Sequence, residues 1–141
     1  MQRIVVAVDG SDSSLRAVGH VINSAKSHST PPEIHLLNVQ YPLRGSANLF
    51  INADAIKQHH HDEGLKALEK ARAMLAEAGL SCIFHIVVGE PAEIISRYAR
   101  EQQCDEIVMG PRGLGSLSGL LIGSVATKVI HLADVPVLLV K

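Results

Sequence analysis

Five glycines fall between Met109 and Val125, in the run Met-Gly-Pro-Arg-Gly-Leu-Gly-Ser-Leu-Ser-Gly-Leu-Leu-Ile-Gly-Ser-Val. Glycine takes backbone shapes denied to other residues and lets a ligand come close. Gly123 and Ser124 end the run where a helical pattern begins. This predicts free N–H groups and a hydroxyl at a helix N-terminus, where the dipole favours an anion. The chemistry so indicated is phosphate binding. Arg112, between Gly110 and Gly113, either pairs with a phosphate or stays in solvent. Pro111 has no N–H to donate, so the cradle rests on the glycines.

Two common phosphate-binding templates do not fit. A P-loop reading spaces Gly110 and Gly115 correctly but meets Ser116 where lysine is required. The dinucleotide pattern G-x-G-x-x-G fails at Ser118. A second polar cluster, Asp9-Gly10-Ser11-Asp12-Ser13-Ser14, follows the first apolar run. Asp9 suits a ribose hydroxyl, a metal–phosphate group or the cap of a helix, and the residues alone leave these open. Ser11, Ser13 and Ser14 lack a histidine and an acid placed for a triad, and helix capping explains them better. The run His59-His60-His61-Asp62 offers metal-ligand types, but successive helical residues point in different directions. A solvated helix face is the expectation.

These groups need a scaffold. Arg3 to Asp9 reads as a nearly all-apolar, central strand, and Glu33 to Val39, Ser81 to Val88, Glu106 to Met109 and Val137 to Val140 as four more. Between them lie helical patterns. Leu15, Val18, Ile22 and Ala25 mark a helix running to about Ser27. A long helix from Ala53 to Ala78 has Leu65, Leu68, Ala71, Arg72 and Leu75 as its inner stripe and Gly79 as its stop. Pro91 opens a third helix with Ile94, Ile95, Tyr98 and Ala99 on its apolar face. Val125, Val129 and Leu132 mark the last. Tyr41 to Asn52 reads as a loop. Alternating strands and helices predict one α/β domain over residues 1–141, a doubly wound parallel sheet with right-handed crossovers.

The spacing Gly110, two residues, Gly113, nine residues, Gly123-Ser124 resembles the nucleotide-binding signature of the universal stress protein family. Ile4 to Ser11 resembles that family's first strand and Asp-Gly-Ser turn. Leu36 to Val39 resembles its second strand, Val88-Gly89-Glu90-Pro91 its third turn and Pro136 to Val140 its last strand. The resemblance covers nearly the whole chain. It implies the strand order 3-2-1-4-5, with Asp9 and Gly110 at neighbouring strand ends where ligands bind. It further implies an adenine nucleotide: ATP, or ADP or AMP, with Mg²⁺ on the phosphates and near Asp9. Gly113, Gly123, Ser124 and Val125 would cradle the phosphates with Arg112. Asp9 and Gly110 would meet the ribose, and Ala7, Val39 and Met109 the adenine. Pro111 departs from the small polar residue often found there in the family.

The resemblance also implies a stress-response regulator, a homodimer joined through the C-terminal strand and switched by nucleotide, with an unknown regulatory partner. No general base, lysine or arginine finger marks an efficient ATPase. Two other readings stay open. The Asp9–Ser14 turn faintly resembles the pyrophosphate loop of adenylating ATP pyrophosphatases, though a glycine and a substrate domain are missing. The chain could also be a dimeric interaction module without nucleotide. Bulk properties are consistent with a compact aliphatic fold: 141 residues, 47% apolar and 3% aromatic, with net charge −1. That charge gives no reason to expect nucleic acid or membrane as partner. Cys82 and Cys104 form no metal or redox motif. A cytoplasmic location is expected from the lack of an apolar leader or spanning run.

Overall fold

A computed structural model of the chain describes residues 1–43, 52–114 and 121–141. The elements run β1 (Arg3–Ala7), α1 (Asp12–Ala25), β2 (Glu33–Gln40), α2 (Ala53–Glu77), β3 (Cys82–Val88), α3 (Pro91–Glu101), β4 (Glu106–Met109), α4 (Ser124–Leu132) and β5 (Val137–Leu139). The strands form a five-stranded sheet in the order β3-β2-β1-β4-β5. Every strand pair is parallel. The expected doubly wound order is therefore present, with β1 at the centre. The loop expected from Tyr41 to Asn52 falls mostly outside the described residues, as do Gly115, Ser116, Ser118 and Gly119.

Alternation along the strands splits the core into two layers. Ile4, Val6, Leu36 and Val108 face α1 and α2, where Val18, Leu68 and Leu75 cover them. Val5, Leu37 and Ile107 face α3 and α4, where Ile95, Tyr98, Ala99 and Val129 do so. Helix starts are set locally. Ser11 caps α1 by accepting from the Ser14 N–H at 3.1 Å, Asn52 caps α2 from Ala55, and Glu90 caps α3 from Glu93. Pro91 takes the first turn of α3, where its missing N–H costs nothing. Gly79 adopts φ +74° just past the end of α2, a conformation that disfavours other residues.

Three details of the helices differ from expectation. Arg72 is exposed and lies over the Phe84 ring at 4.3 Å, so it is not part of the inner stripe of α2. Gly64 and His60 take that line instead, with Leu68, Ala71 and Leu75. The reason is proximity: a Cβ on Gly64 would sit 2.5 Å from the Ile86 side chain, so β3 and α2 approach closest where the helix has no side chain. His60 is accordingly buried rather than part of a solvated face, and its Nδ1 has no partner among the described residues. Leu132 is exposed at the end of α4, so it is not part of that helix's buried face.

Tyr98 ties the sheet to α3. Its hydroxyl lies 2.7 Å from His35 Nδ1 on β2 and 2.7 Å from His85 Nδ1 on β3. A phenol has one proton, so between two neutral imidazoles it donates to one and accepts from the other. His35 Nε2 in turn lies 3.2 Å from Glu33, which also pairs with Arg3 at 2.6 Å. The His35 imidazole, with Arg3 behind it, holds the Glu33 carboxyl below its usual range. Burial, then the Cys104 and Glu33 charges, push the Tyr98 phenol up from 10.0 to about 12.

An acid whose pKa is raised on folding favours the native state while it is neutral. The Tyr98 contribution is therefore complete below about pH 10 and is lost as pH rises towards about 12. Ultraviolet titration of phenolate should show a late phase that Tyr98→Phe removes. The same substitution should flatten the loss of stability across that alkaline window. An unchanged titration curve in Tyr98→Phe would contradict the assignment.

Candidate functional site

The carboxyl ends of β1, β2 and β4 open into a cavity of about 870 Å³. β1 and β4 are neighbours in the sheet, and their connections leave to opposite faces, which makes this the crevice where strand order reverses. The turn after β1 supplies Asp9 and Gly10, and the first turn of α1 Ser14; the loop after β4 supplies Gly110 to Leu114; the start of α4 supplies Gly123 to Ala126. Ala7, Val39 and Met109 form apolar wall at the strand ends. All ten residues singled out from the sequence, Ala7, Asp9, Val39, Met109, Gly110, Arg112, Gly113, Gly123, Ser124 and Val125, border this one cavity.

Two of the glycines have close neighbours, and at Gly110 the neighbour includes backbone. A Cβ on Gly110 would collide with Ser13 Oγ and come within 2.8 Å of the Ser13 carbonyl carbon, so the end of β4 rests on the first turn of α1. A Cβ on Gly113 would meet Asp9 Oδ2 at 2.6 Å. Asp9 uses both oxygens to brace this junction. Its Oδ1 accepts from the Ser11 N–H at 2.9 Å and its Oδ2 from the Leu114 N–H at 3.2 Å. The carboxylate therefore stitches the loop after β4 to the turn after β1. Gly10 adopts φ +88° in that turn, with Ala67 of α2 packed against it.

The start of α4 differs from the expected arrangement in one respect. The Gly123 N–H is not free, because it donates to the Pro111 carbonyl at 2.6 Å. Pro111 cannot donate, but its acceptor closes the loop on itself. Gly123 has φ −81° and ψ 172°, a conformation open to any residue, so its backbone angles do not demand glycine. No side chain caps α4. The first intrahelical donor from this end is Thr127, to the Gly123 carbonyl at 3.1 Å. The N–H groups of Ser124, Val125 and Ala126 therefore lack helical partners, and all three residues border the cavity.

Several bordering residues were not singled out from the sequence. Gln40 and Tyr41 continue the wall past Val39, Glu63 and Lys66 reach it from α2, and Pro91 and Ile95 from α3. The rule that ligands gather beyond strand ends could have pointed to Gln40 and Tyr41. Nothing local marks Glu63 or Lys66, since they arrive from a helix packed against Gly10. Among the described residues no group of three or more His, Cys, Asp or Glu side chains could hold a metal ion. None of their helices is long and apolar enough to cross a membrane.

The fold and cavity together define a doubly wound α/β protein with its ligand crevice at the strand-order switch point. Comparison with known proteins narrows this. The model of the universal stress protein family matches residues 1–141, and the chain belongs to that family. It is similar to universal stress protein MJ0531 of Methanocaldococcus jannaschii, 37% identical over 99% of this chain and 82% of the relative. Its fold superposes on the solved structure of hypothetical protein MJ0577 with a TM-score of 0.84 at 30% identity, covering 99% of this chain and 95% of that one. A universal stress protein crystallised in complex with cAMP superposes with a TM-score of 0.71, also at 30% identity, covering 99% and 97%.

Gly110→Ala should lower stability by about 1–3 kcal/mol, the usual cost of overpacking, measured by urea unfolding. Adding Ser13→Ala should recover only part of the loss. It removes the nearest atom, Oγ, but leaves the backbone carbon at 2.8 Å. Full recovery in the double variant would show that the backbone contact is not limiting.

Proposed function

We propose that this chain is an adenine-nucleotide-binding regulator acting as one domain, with the nucleotide seated in the cavity at the strand-order switch point. One observation carries the reading: the uncapped N-terminus of α4 puts three residues whose amides lack helical partners on the border of the cavity, beside Gly110 and Gly113. Such a terminus suits an anion through its N–H groups and dipole. The Ser124 hydroxyl and Arg112 add donors for phosphate, and Gly113 keeps the loop low enough for it to approach. Ala7, Val39 and Met109 offer an apolar slot for a base, with Asp9 and Gly110 beside the ribose. The complex of a related universal stress protein with cAMP supports an adenine nucleotide as the ligand class. We take ATP as the physiological ligand, with Mg²⁺ entering on its phosphates. Asp9 is already committed to two N–H donors, so no step is assigned to the metal.

The reading makes nucleotide the input of a stress-response switch in the cytoplasm, in which binding favours one conformation or dimer form. The dimer we propose uses β5. Among the described residues that strand pairs only with β4, and its residues are half-buried. An open apolar edge invites a second strand, and a two-fold copy of the same edge satisfies both.

Ser124→Pro tests the phosphate site without breaking the helix. Proline is tolerated at the first helical position, and Gly123 already has the extended conformation that a following proline requires. The change removes one amide and one hydroxyl. ATP affinity by titration calorimetry should fall about tenfold or more, as for a lost hydrogen bond to a charged group. Undiminished affinity in the folded variant would overturn the site. Mass spectrometry of ligand released from the purified protein should find adenine nucleotide.

The dimer has its own test. The Val140 N–H bonds to Met109 and the Pro136 carbonyl accepts from Ile107. Alternation then turns the Leu139 N–H to the open edge. Leu139→Pro should convert a dimer at micromolar concentration into a monomer by light scattering. A wild-type monomer would rule the dimer out, and a dimeric variant would move the interface elsewhere.

A further inference from the structure

The bridge at Tyr98 fixes where each of its protons must sit. His35 Nε2 faces Glu33 at 3.2 Å, off the axis of a well-formed hydrogen bond. A carboxylate only accepts, and a bare ring nitrogen would set lone pair against lone pair. Neutral His35 therefore carries its proton on Nε2. Its Nδ1 is then the acceptor for the Tyr98 O–H at 2.7 Å. With that proton spent, the phenol oxygen only accepts on its other side. His85 donates to it from Nδ1 at 2.7 Å, which leaves the Nε2 of this exposed residue bare. Donors run in one direction, from His85 through Tyr98 and His35 towards Glu33.

That order accommodates one added proton. Solvent can place it on His85 Nε2 without disturbing the Nδ1–H donor. It can also be relayed: His85 passes its Nδ1 proton to the phenol oxygen, and the phenol passes its own to His35 Nδ1. His85 is then neutral, His35 is an imidazolium beside Glu33, and each link still has one donor and one acceptor. A second proton puts N–H on both Nδ1 atoms. Two imidazoliums then confront one oxygen, and the phenol proton loses its acceptor. The phenol does not ionise in compensation, because burial first of all pushes it up to about 12.

The surrounding charges do not relieve this state. Glu33 is shared with Arg3 of β1. Asp105 accepts from the Arg3 backbone N–H, and the thiol of Cys104 is buried. Arg97 and Glu101 of α3 are exposed and pair with each other at 3.9 Å. Among the described residues His85 has no ion-pair partner. It is also the exposed ring, so it is the one that leaves, with water in its place. It lies on β3, which stands at the end of the sheet and pairs only with β2 among the described strands.

We propose that this bridge is an acid-operated clamp on the edge strand β3. It holds β3 to α3 with no added proton or with one, and it releases β3 when both histidines are charged. Histidine changes charge in the range where such a device is useful. The native state holds the second proton poorly, so the unfolded chain binds more protons in acid and stability falls as pH falls.

The test is amide hydrogen exchange of the whole chain at about pH 7.5 and about pH 5, corrected for the intrinsic exchange rate and referenced to β1. Wild-type protection of β3 should fall about tenfold or more on acidification, the worth of one lost hydrogen bond. His85→Asn keeps a donor near the Nδ1 position and cannot charge, so its β3 protection should not change with pH. Tyr98→Phe removes the shared oxygen, and its β3 should be weakly protected at both. Ring-nitrogen NMR shifts at the higher pH should show neutral His85 as the Nδ1–H tautomer and His35 as the Nε2–H tautomer. Unchanged wild-type protection, the same fall in either folded variant, or the reverse tautomers would overturn the clamp.

Discussion

The carboxyl end of this sheet depends on how closely two chain segments approach one another: the turn after β1 and the loop after β4. Gly110 lies against the backbone of Ser13, and Asp9 receives amides from both segments. A parallel sheet leaves these segments to diverge, because their helices depart to opposite faces. The close contact and the shared carboxylate counter that divergence. They bring the two ends together low enough that a cavity forms above them, and they fix where the loop can lie. The aliphatic layers on either side of the sheet stabilise the fold, but they do not determine the shape of this corner.

Much of the scaffold was legible because strands and helices have different periods. The apolar run Glu106–Met109 and the strand from Glu33 were read within a residue of their observed ends. β1 ends at Ala7 rather than Asp9, although the Val8 N–H still donates to the Leu37 carbonyl of β2 at 2.9 Å. The inner line of α2 was harder. An apolar pattern draws the eye to Leu65 and Arg72, whereas the helix meets β3 at Gly64, a residue with no hydropathy signal of that kind. Buried His60 has the same explanation: its place on the helix, not its polarity, decides its environment.

The site was legible in its residue types and less so in its hydrogen bonds. The glycine spacing and Asp9 identified the segments that meet, and all of the chosen residues border one cavity. What sequence does not reveal is which amides remain unpartnered. The Gly123 N–H is consumed within the loop by the Pro111 carbonyl, and the Leu114 N–H by Asp9. Those pairings follow from three-dimensional closure rather than from any local pattern.

The bridge at Tyr98 limits how this chain can vary. His35, His85 and Tyr98 come from three separate elements, yet each supplies what another lacks. Phenylalanine in place of Tyr98 would strand two imidazole nitrogens, one of them on the buried His35. Replacing only one histidine would leave the hydroxyl with a single partner. Single substitutions at these positions are therefore penalised, while a simultaneous change of all three to apolar residues of similar volume need not be. His85 is exposed and water can take its place, so the constraint falls on the buried pair of His35 and Tyr98, which change at least cost together.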